Sequence, residues 1–317
     1  MATPRILLTN PIHPDEQARL AKHAEVIVAP DVTAATLIKF AADSDAMIVR
    51  SHLPPDIFEA SPRLRFVVRH GVGLDMVPVQ EATARGIAVA NLPGSNTQAV
   101  SEYALNAMMT LRRNLVSMDT VLRNRGWSAA KPMSNGSVEL GDSVLGIVGH
   151  GSIGRRLAQI AHALGMRVLT YTRRPEAVIA PASAVELSVL LGESDVIVLA
   201  CPHNDQTHHL INAEALGKLK PTALLINVAR GPVVDNAALV QALQKGQLAG
   251  AALDVHEPAI LTGQEDIFHS DKVLLTPHLA GITATSLDKM SRWAVDTLLA
   301  LLAGERPSNV VNPEVFV

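Results

Sequence analysis

One cysteine, few aromatics and no long apolar run mark this chain of 317 residues. The single Cys201 excludes an intrachain disulfide, and with no CxxC it anchors no structural zinc. Such cysteine usage fits a reducing cytoplasm. No stretch reaches the ~20 consecutive apolar residues that a transmembrane helix needs. The apolar start Ile6-Leu7-Leu8 is ended by Pro11, His13 and Asp15, well short of a signal-peptide core. Charge of one sign is also missing. With 27 basic and 30 acidic residues, a net −3, and no block of like charge, the chain has no basic stripe for nucleic acid. Strict repeats and low-complexity segments are absent as well.

What is present is an alternation of short apolar runs with amphipathic stretches, the pattern of βαβ units and parallel sheets. At ~150 residues per domain the length suggests two domains. Strands are expected at Arg5–Thr9, Glu25–Val28, Ala46–Val49, Arg65–Arg69 and Ile87–Ala90, with helices such as Asp15–His23 and Thr33–Ala41 between them. One long helix is expected from Thr97 to about Arg125, on the three- and four-residue spacing of Leu105, Met108, Met109, Leu111, Leu115, Met118 and Leu122. A loop rich in Ser, Gly, Asn and Pro, 126–142, leads into a second series. Its strands are Ser143–Val148, Arg167–Tyr171, Val196–Ala200, Ala223–Asn227, Gly250–Leu253 and Val273–Thr276, and a final helix spans about Thr285–Ala303. The fold class expected is α/β, with two Rossmann-like or flavodoxin-like domains built on parallel sheets. Boundaries near Asn96 and Gly281 make 97–281 one continuous domain and leave 1–96 with 282–317 as a discontinuous one.

The run Gly149-His150-Gly151-Ser152-Ile153-Gly154 follows the buried-strand pattern Val144–Val148 and opens an amphipathic helix. In that setting Gly149 permits a tight turn, Gly151 lets the backbone approach a pyrophosphate, and Gly154 allows close packing of helix on strand. A bare GxGxxG is also compatible with a ligand-free turn, but the strand–turn–helix context favours a dinucleotide. About 20 residues on, where a carboxylate would hold a ribose 2′-OH, the chain reads Thr172-Arg173-Arg174, with none before Glu176. A hydroxyl and two guanidiniums favour NADP over NAD, although the pair also reads as solvated loop arginines.

Three further strand ends carry polar groups: Asn227-Val228-Ala229-Arg230, Asp254-Val255-His256-Glu257 and Thr276-Pro277-His278. An open parallel sheet binds ligands outside the carboxyl ends of its strands. An Arg to grip a carboxylate or carbonyl and a His to exchange a proton suit hydride transfer on a 2-keto acid.

Taken with Val68-Arg69-His70-Gly71-Val72-Gly73-Leu74-Asp75, Ser101-Glu102, Cys201-Pro202 and Thr207, these motifs make nearly the whole chain resemble the D-isomer-specific 2-hydroxyacid dehydrogenases. The resemblance is to a short form, glyoxylate/hydroxypyruvate reductase-like or phosphoglycerate dehydrogenase-like, without a regulatory domain. It implies that 97–281 binds the dinucleotide and that the split domain binds substrate. By the same resemblance Arg230 binds and polarises the substrate, and His278 is the acid/base. Val72 and Gly73 hold the substrate carboxylate through backbone N–H groups, with Ser51 at the substrate edge. Cys201, Pro202, Thr207, Val228, Ala229, Asp254 and Ala280 line the cofactor. A homodimer formed through the dinucleotide domain is also implied.

One departure stands out. The family's Glu five places after the Asp is here Ala259, so Glu257 either takes over the orientation of His278 or is merely a loop residue. His203, His208 and His209 read as loop histidines, with no metal site expected. Cys201 reads as a cofactor-edge residue with no paired base, and the Met-rich stretch as helix core or interface. Arg50 and His52 either meet an anionic substrate tail or face water. The expected function is reduction of a small 2-keto acid such as glyoxylate or hydroxypyruvate by NAD(P)H, or the reverse, in the cytoplasm. No nucleic-acid or membrane partner is expected. The alternative is a dinucleotide-sensing corepressor-type protein with little turnover.

Overall fold

A computed structural model describes residues 3–259, 261–270 and 272–316. The chain divides into two compact units, Met1–Asn96 with Ile282–Val317, and Thr97–Gly281.

The first unit holds β1 (Arg5–Leu8), β2 (Glu25–Val28), β3 (Ala46–Val49), β4 (Phe66–Arg69) and β5 (Ala88–Ala90). They pair in parallel in the order β2-β1-β3-β4-β5. Because side chains alternate along a strand, each run supplies both faces of a sheet covered on both sides. Ile6, Leu8, Ile48 and Val68 pack with Met290, Ala294, Val295 and Leu298 of the helix Ala284–Leu302. Leu7, Met47, Val49 and Val67 pack on the other side with Leu37 and Ala41 of the helix Ala34–Ala41.

The second unit holds β6 (Val144–Val148), β7 (Arg167–Tyr171), β8 (Ala182–Ala184), β9 (Val196–Leu199), β10 (Leu224–Asn227), β11 (Gly250–Leu253) and β12 (Val273–Leu275). The order is β12-β11-β10-β9-β6-β7-β8, all parallel, as in Rossmann-like sheets. Succession along the sheet reverses between β6 and β9, and the loops leaving these neighbours run to opposite sides. Register then fixes where the loops start. Tyr171, Val148, Leu199, Asn227, Leu253 and Leu275 are paired across the sheet, so the segments after them all leave one edge.

The expected long helix is two: Thr97–Arg112 and Leu115–Arg125. Asn114 takes the left-handed conformation (φ 52°, ψ 38°), which Asn tolerates better than most residues and which interrupts the helical ladder. The second helix buries no residue, and Leu115 and Val116 are 50% and 58% exposed. The spacing there is helical without marking a core face. The segment expected as a loop contains a short helix, Trp127–Ala130, and the 3-10 helix Lys131–Gly136. The edge strand β8 has no apolar run to announce it.

The C-terminal segment is tied into the first unit by Asn312, which is 2% exposed. Its Oδ1 accepts from Val89 N–H (2.8 Å), and its Nδ2 donates to Ile87 O (2.9 Å) and Thr83 Oγ1 (2.8 Å). Asn312→Ala leaves those buried groups without their partner, a loss of about 2 kcal/mol or more. Differential scanning calorimetry should show a transition lowered by roughly 5 °C or more; an unchanged thermogram would contradict this anchoring role.

Candidate active site

The glycine run leaves β6 at the reversal point. Gly149 has φ +106°, and a Cβ there would lie 2.7 Å from Ala200 O. A Cβ on Gly154 would fall 2.2 Å from Gly149 O. The protein's own packing therefore demands both. Gly151 is different: a Cβ there meets nothing within 4 Å. This residue caps the helix Ser152–Ala163 with no side-chain hydrogen bond, leaving the first-turn N–H groups of Ser152, Ile153 and Gly154 to face an anion. His150 Nδ1 is buried without a partner among the described residues. Two glycines that the fold requires, and a third that it does not, fit a loop built to receive a pyrophosphate.

The neighbouring loops carry the other expected contacts. Thr172, Arg173 and Arg174 leave the end of β7, both arginines exposed. Cys201 and Pro202 follow β9, with the Cys201 amide 3.0 Å from the position of a Gly149 Cβ. Burial pushes the Cys201 thiol up to about 11, which suits a packing residue and not a nucleophile. Thr207 Oγ1 donates to Pro202 O (2.7 Å) and accepts from Asn204 N–H (2.8 Å), closing that loop.

After β10, the buried Asn227 shapes the turn that presents Arg230. Its Oδ1 accepts from Ala229 N–H (3.0 Å) and its Nδ2 donates to Arg230 O (2.9 Å). Val228 and Ala229 are buried between them, and Arg230 is half-exposed. A Cβ on Gly231 would lie 2.0 Å from His256 O, so this turn is seated directly on the segment after β11.

That segment begins with Asp254, 1% exposed. Its backbone O accepts from His278 N–H (2.8 Å), Oδ1 from Leu279 N–H (2.8 Å) and Oδ2 from Ala280 N–H (2.9 Å). Oδ1 also accepts from Thr276 Oγ1 (2.7 Å). The carboxylate is thus occupied by the loop that carries His278. His278 itself is exposed, at φ +55°.

Glu257, read from the sequence either as the carboxylate that orients His278 or as a loop residue, is paired here with a histidine other than His278. Its Oε2 lies 3.2 Å from Nε2 of His209, a residue that also donates its N–H to Pro232 O (2.7 Å). His209 stacks on His208, which lies 3.3 Å from His203. Among the described residues no group of three His, Cys, Asp or Glu is set to hold a metal, and no helix is long and apolar enough to cross a membrane. Tyr103 was not singled out by the sequence reading and had no signal there; Asn227 and His256 were noted only as polar groups at strand ends, and His209 only as a loop histidine.

In the first unit, Val72 and Gly73 follow β4, both half-exposed. Asn91 Nδ2 donates to Val72 O (2.7 Å) and Arg69 Nε to Gly73 O (3.1 Å), fixing the loop through its carbonyls. Among the described residues neither the Val72 nor the Gly73 N–H has an acceptor in the protein. Ser51 Oγ donates to Asn10 Oδ1 (2.5 Å), and Arg50 donates to Pro11 O.

Residues 105–280 match the family described as D-isomer specific 2-hydroxyacid dehydrogenase, NAD binding domain. The glyoxylate reductase of Thermococcus gammatolerans is 36% identical over 324 residues, which cover 98% of this chain and 97% of that protein. Among solved structures, the TT0316 protein from Thermus thermophilus is 33% identical with a TM-score of 0.89, covering 97% of this chain and 99% of that one. The NADPH-dependent glyoxylate/hydroxypyruvate reductase from Sinorhizobium meliloti, solved with NADP and malonate, is 31% identical with a TM-score of 0.85, covering 98% of each chain.

Gly151 and Gly154 should separate in their response to a methyl group. Gly151→Ala should leave the melting temperature unchanged while weakening dinucleotide binding by about tenfold or more, because only the ligand needs that space. Gly154→Ala should lower both. Thermal melts and fluorescence titration with NADPH and NADH read the two effects. Equal affinity in Gly151→Ala and the unsubstituted protein would contradict this assignment.

Proposed function

This chain belongs to the D-isomer specific 2-hydroxyacid dehydrogenase family, and we propose that within it the protein reduces a small 2-keto acid, glyoxylate, hydroxypyruvate or a close relative, to the D-2-hydroxy acid. The observation that carries this reading is the pair of turns at one sheet edge, one presenting Arg230 after β10 and the other His278 after β12. The relatives named glyoxylate reductase support the substrate class. With family membership, the enzyme reading stands over the dinucleotide-sensing alternative.

A nicotinamide dinucleotide held by the Gly149–Gly154 loop and by Thr172, Arg173 and Arg174 would supply the hydride equivalent for reduction of the carbonyl carbon. Arg230 binds the substrate and draws electron density toward the carbonyl oxygen. His278, as imidazolium, gives its proton to that oxygen, so the C=O double bond becomes C–O–H and the ring is left neutral. In the oxidative direction the neutral ring takes the proton back. The N–H groups of Val72 and Gly73, neither of which has an acceptor in the protein among the described residues, receive the substrate carboxylate. Glu257 enters this proposal as the partner of His209 and not as the carboxylate that orients His278.

NADP is favoured over NAD. Thr172, Arg173 and Arg174 stand at the end of β7 with both guanidiniums exposed, and the first carboxylate, Glu176, lies beyond them in the helical turn Pro175–Ala177. Two guanidiniums attract a 2′-phosphate, which a carboxylate would repel. We further assign a homodimer to the exposed apolar side of the paired helices, where Met109, Leu115, Val116, Leu122 and Trp127 are 39–70% exposed. A second copy would cover that apolar surface. The single cysteine supports a cytoplasmic setting.

A spectrophotometric panel of 2-keto acids with NADPH and NADH tests the function. Oxidation of NADPH with at least one two- or three-carbon keto acid is expected. The double variant Arg173→Gln, Arg174→Gln should raise KM for NADPH by about tenfold or more and leave that for NADH nearly unchanged. Tight dinucleotide binding with no turnover on any keto acid would overturn the reductase reading, and an unchanged NADPH KM would overturn the cofactor assignment.

A further inference from the structure

Thr276 is held at every polar atom it has. Its N–H donates to Leu253 O (3.0 Å), continuing the β11–β12 pairing by one residue. Its carbonyl lies 2.8 Å from His256 Nε2 and also accepts the His278 N–H at 3.1 Å. Its hydroxyl lies 2.6 Å from the Tyr103 hydroxyl and donates to Asp254 Oδ1 at 2.7 Å. The chemistry of the groups fixes each direction. A carbonyl only accepts, so His256 carries its hydrogen on Nε2. An ionised carboxylate only accepts, so the single Thr276 hydroxyl proton goes to Asp254, and Tyr103 must donate to Thr276. Burial, and then the nearby Asp254 charge, raise the Tyr103 phenol above its usual range, which keeps it a donor.

Tyr103 stands on the helix Thr97–Arg112 and His256 two residues beyond Asp254; both reach the residue two before His278. His256 is 8% exposed, so its contact with the Thr276 carbonyl is shielded from competing water. The carbonyl it grips is the same one that accepts from the His278 peptide. Left-handed φ at a non-glycine residue is uncommon and persists where surrounding bonds define it.

We propose that Tyr103 and His256 are positioning residues for His278, clamping Thr276 through its hydroxyl and its carbonyl so that the left-handed turn presenting the imidazole is fixed. This rests on His278 being the acid/base of the proposed reduction. Neither side chain touches a reacting atom in this account; both act through Thr276. A loosened clamp leaves the imidazole present but displaced, and small displacements of a proton donor cost rate more than binding.

The test compares His256→Leu, His256→Gln and Tyr103→Phe with the unsubstituted protein and with His278→Gln, on the best keto acid found with NADPH. His256→Leu removes the N–H, whereas His256→Gln offers an amide N–H at similar reach. His256→Leu should lower kcat by about tenfold or more with KM for NADPH changed less than about threefold, and His256→Gln should recover most of the loss. Tyr103→Phe, which deletes one oxygen from a half-buried site, should lower kcat several-fold in the same pattern. Melting temperatures report whether each variant is folded. Activity of His256→Leu and Tyr103→Phe within twofold of the unsubstituted protein, alongside an inactive His278→Gln, would overturn the clamp and leave the acid/base reading intact. A loss in His256→Leu that Gln does not relieve, or one matched by lost NADPH affinity, would also overturn it. Full activity in His278→Gln would instead remove the reading on which the clamp rests.

Discussion

Three successive peptide N–H groups, those of His278, Leu279 and Ala280, end on one buried residue, Asp254. The carboxylate takes two of them and the Thr276 hydroxyl as well, while the Asp254 carbonyl takes the third. Hydrogen bonds to an ionised group are about twice as strong as neutral ones, and removing one partner inside the protein costs the full desolvation of the rest. The interaction therefore converts a buried charge into a geometric constraint: the chain beyond β12 must turn back immediately, and His278 is the residue left standing at the turn. The Arg230 turn depends on the same segment, since Gly231 lies too close to the His256 carbonyl for any side chain.

The parallel sheet supplies the frame on which that constraint acts. Pairing in register brings the last residues of β7, β6, β9, β10, β11 and β12 into one row. Each loop then contributes one chemical element: exposed arginines, a glycine turn, the Cys201–Thr207 loop, Arg230, Asp254 and His278. None of these residues is near another in sequence except through the sheet. Rigid strands with specialised ends are a general solution for holding polar groups at fixed separations while the strand interiors remain apolar.

Most strands were legible in the sequence because each is a short aliphatic run that is buried on both faces, as in Val196–Leu199 and Ala46–Val49. Where that signal lapses, so does the reading. The edge strand β8 is Ala-Ser-Ala with two exposed residues, and only Ala182 of it joins the core beside β7. The long helix read through Asn114 because helical spacing continues on both sides of one left-handed residue, and spacing cannot register a change in φ. The motifs put Arg230, Asp254 and His278 at strand ends, but not what each side chain bonds. Tyr103 and Thr276 are 173 residues apart, and Glu257 and His209 are 48 apart. Such pairs exist only once helices and strands have packed, so neither the Tyr103 contact nor the His209 partner of Glu257 had a local trace.

The central claim is that His278 delivers the proton that completes reduction, and the pH dependence of kcat/KM for keto-acid reduction tests it most directly. An imidazolium acid is active below its pKa and is lost as pH rises through it, so kcat/KM should fall with a slope of one proton as the pH is raised. His278→Gln should retain dinucleotide affinity, lose kcat/KM by about a hundredfold or more, and show no such limb. Near-normal activity in His278→Gln with the same alkaline limb would contradict the account and place the proton on another group.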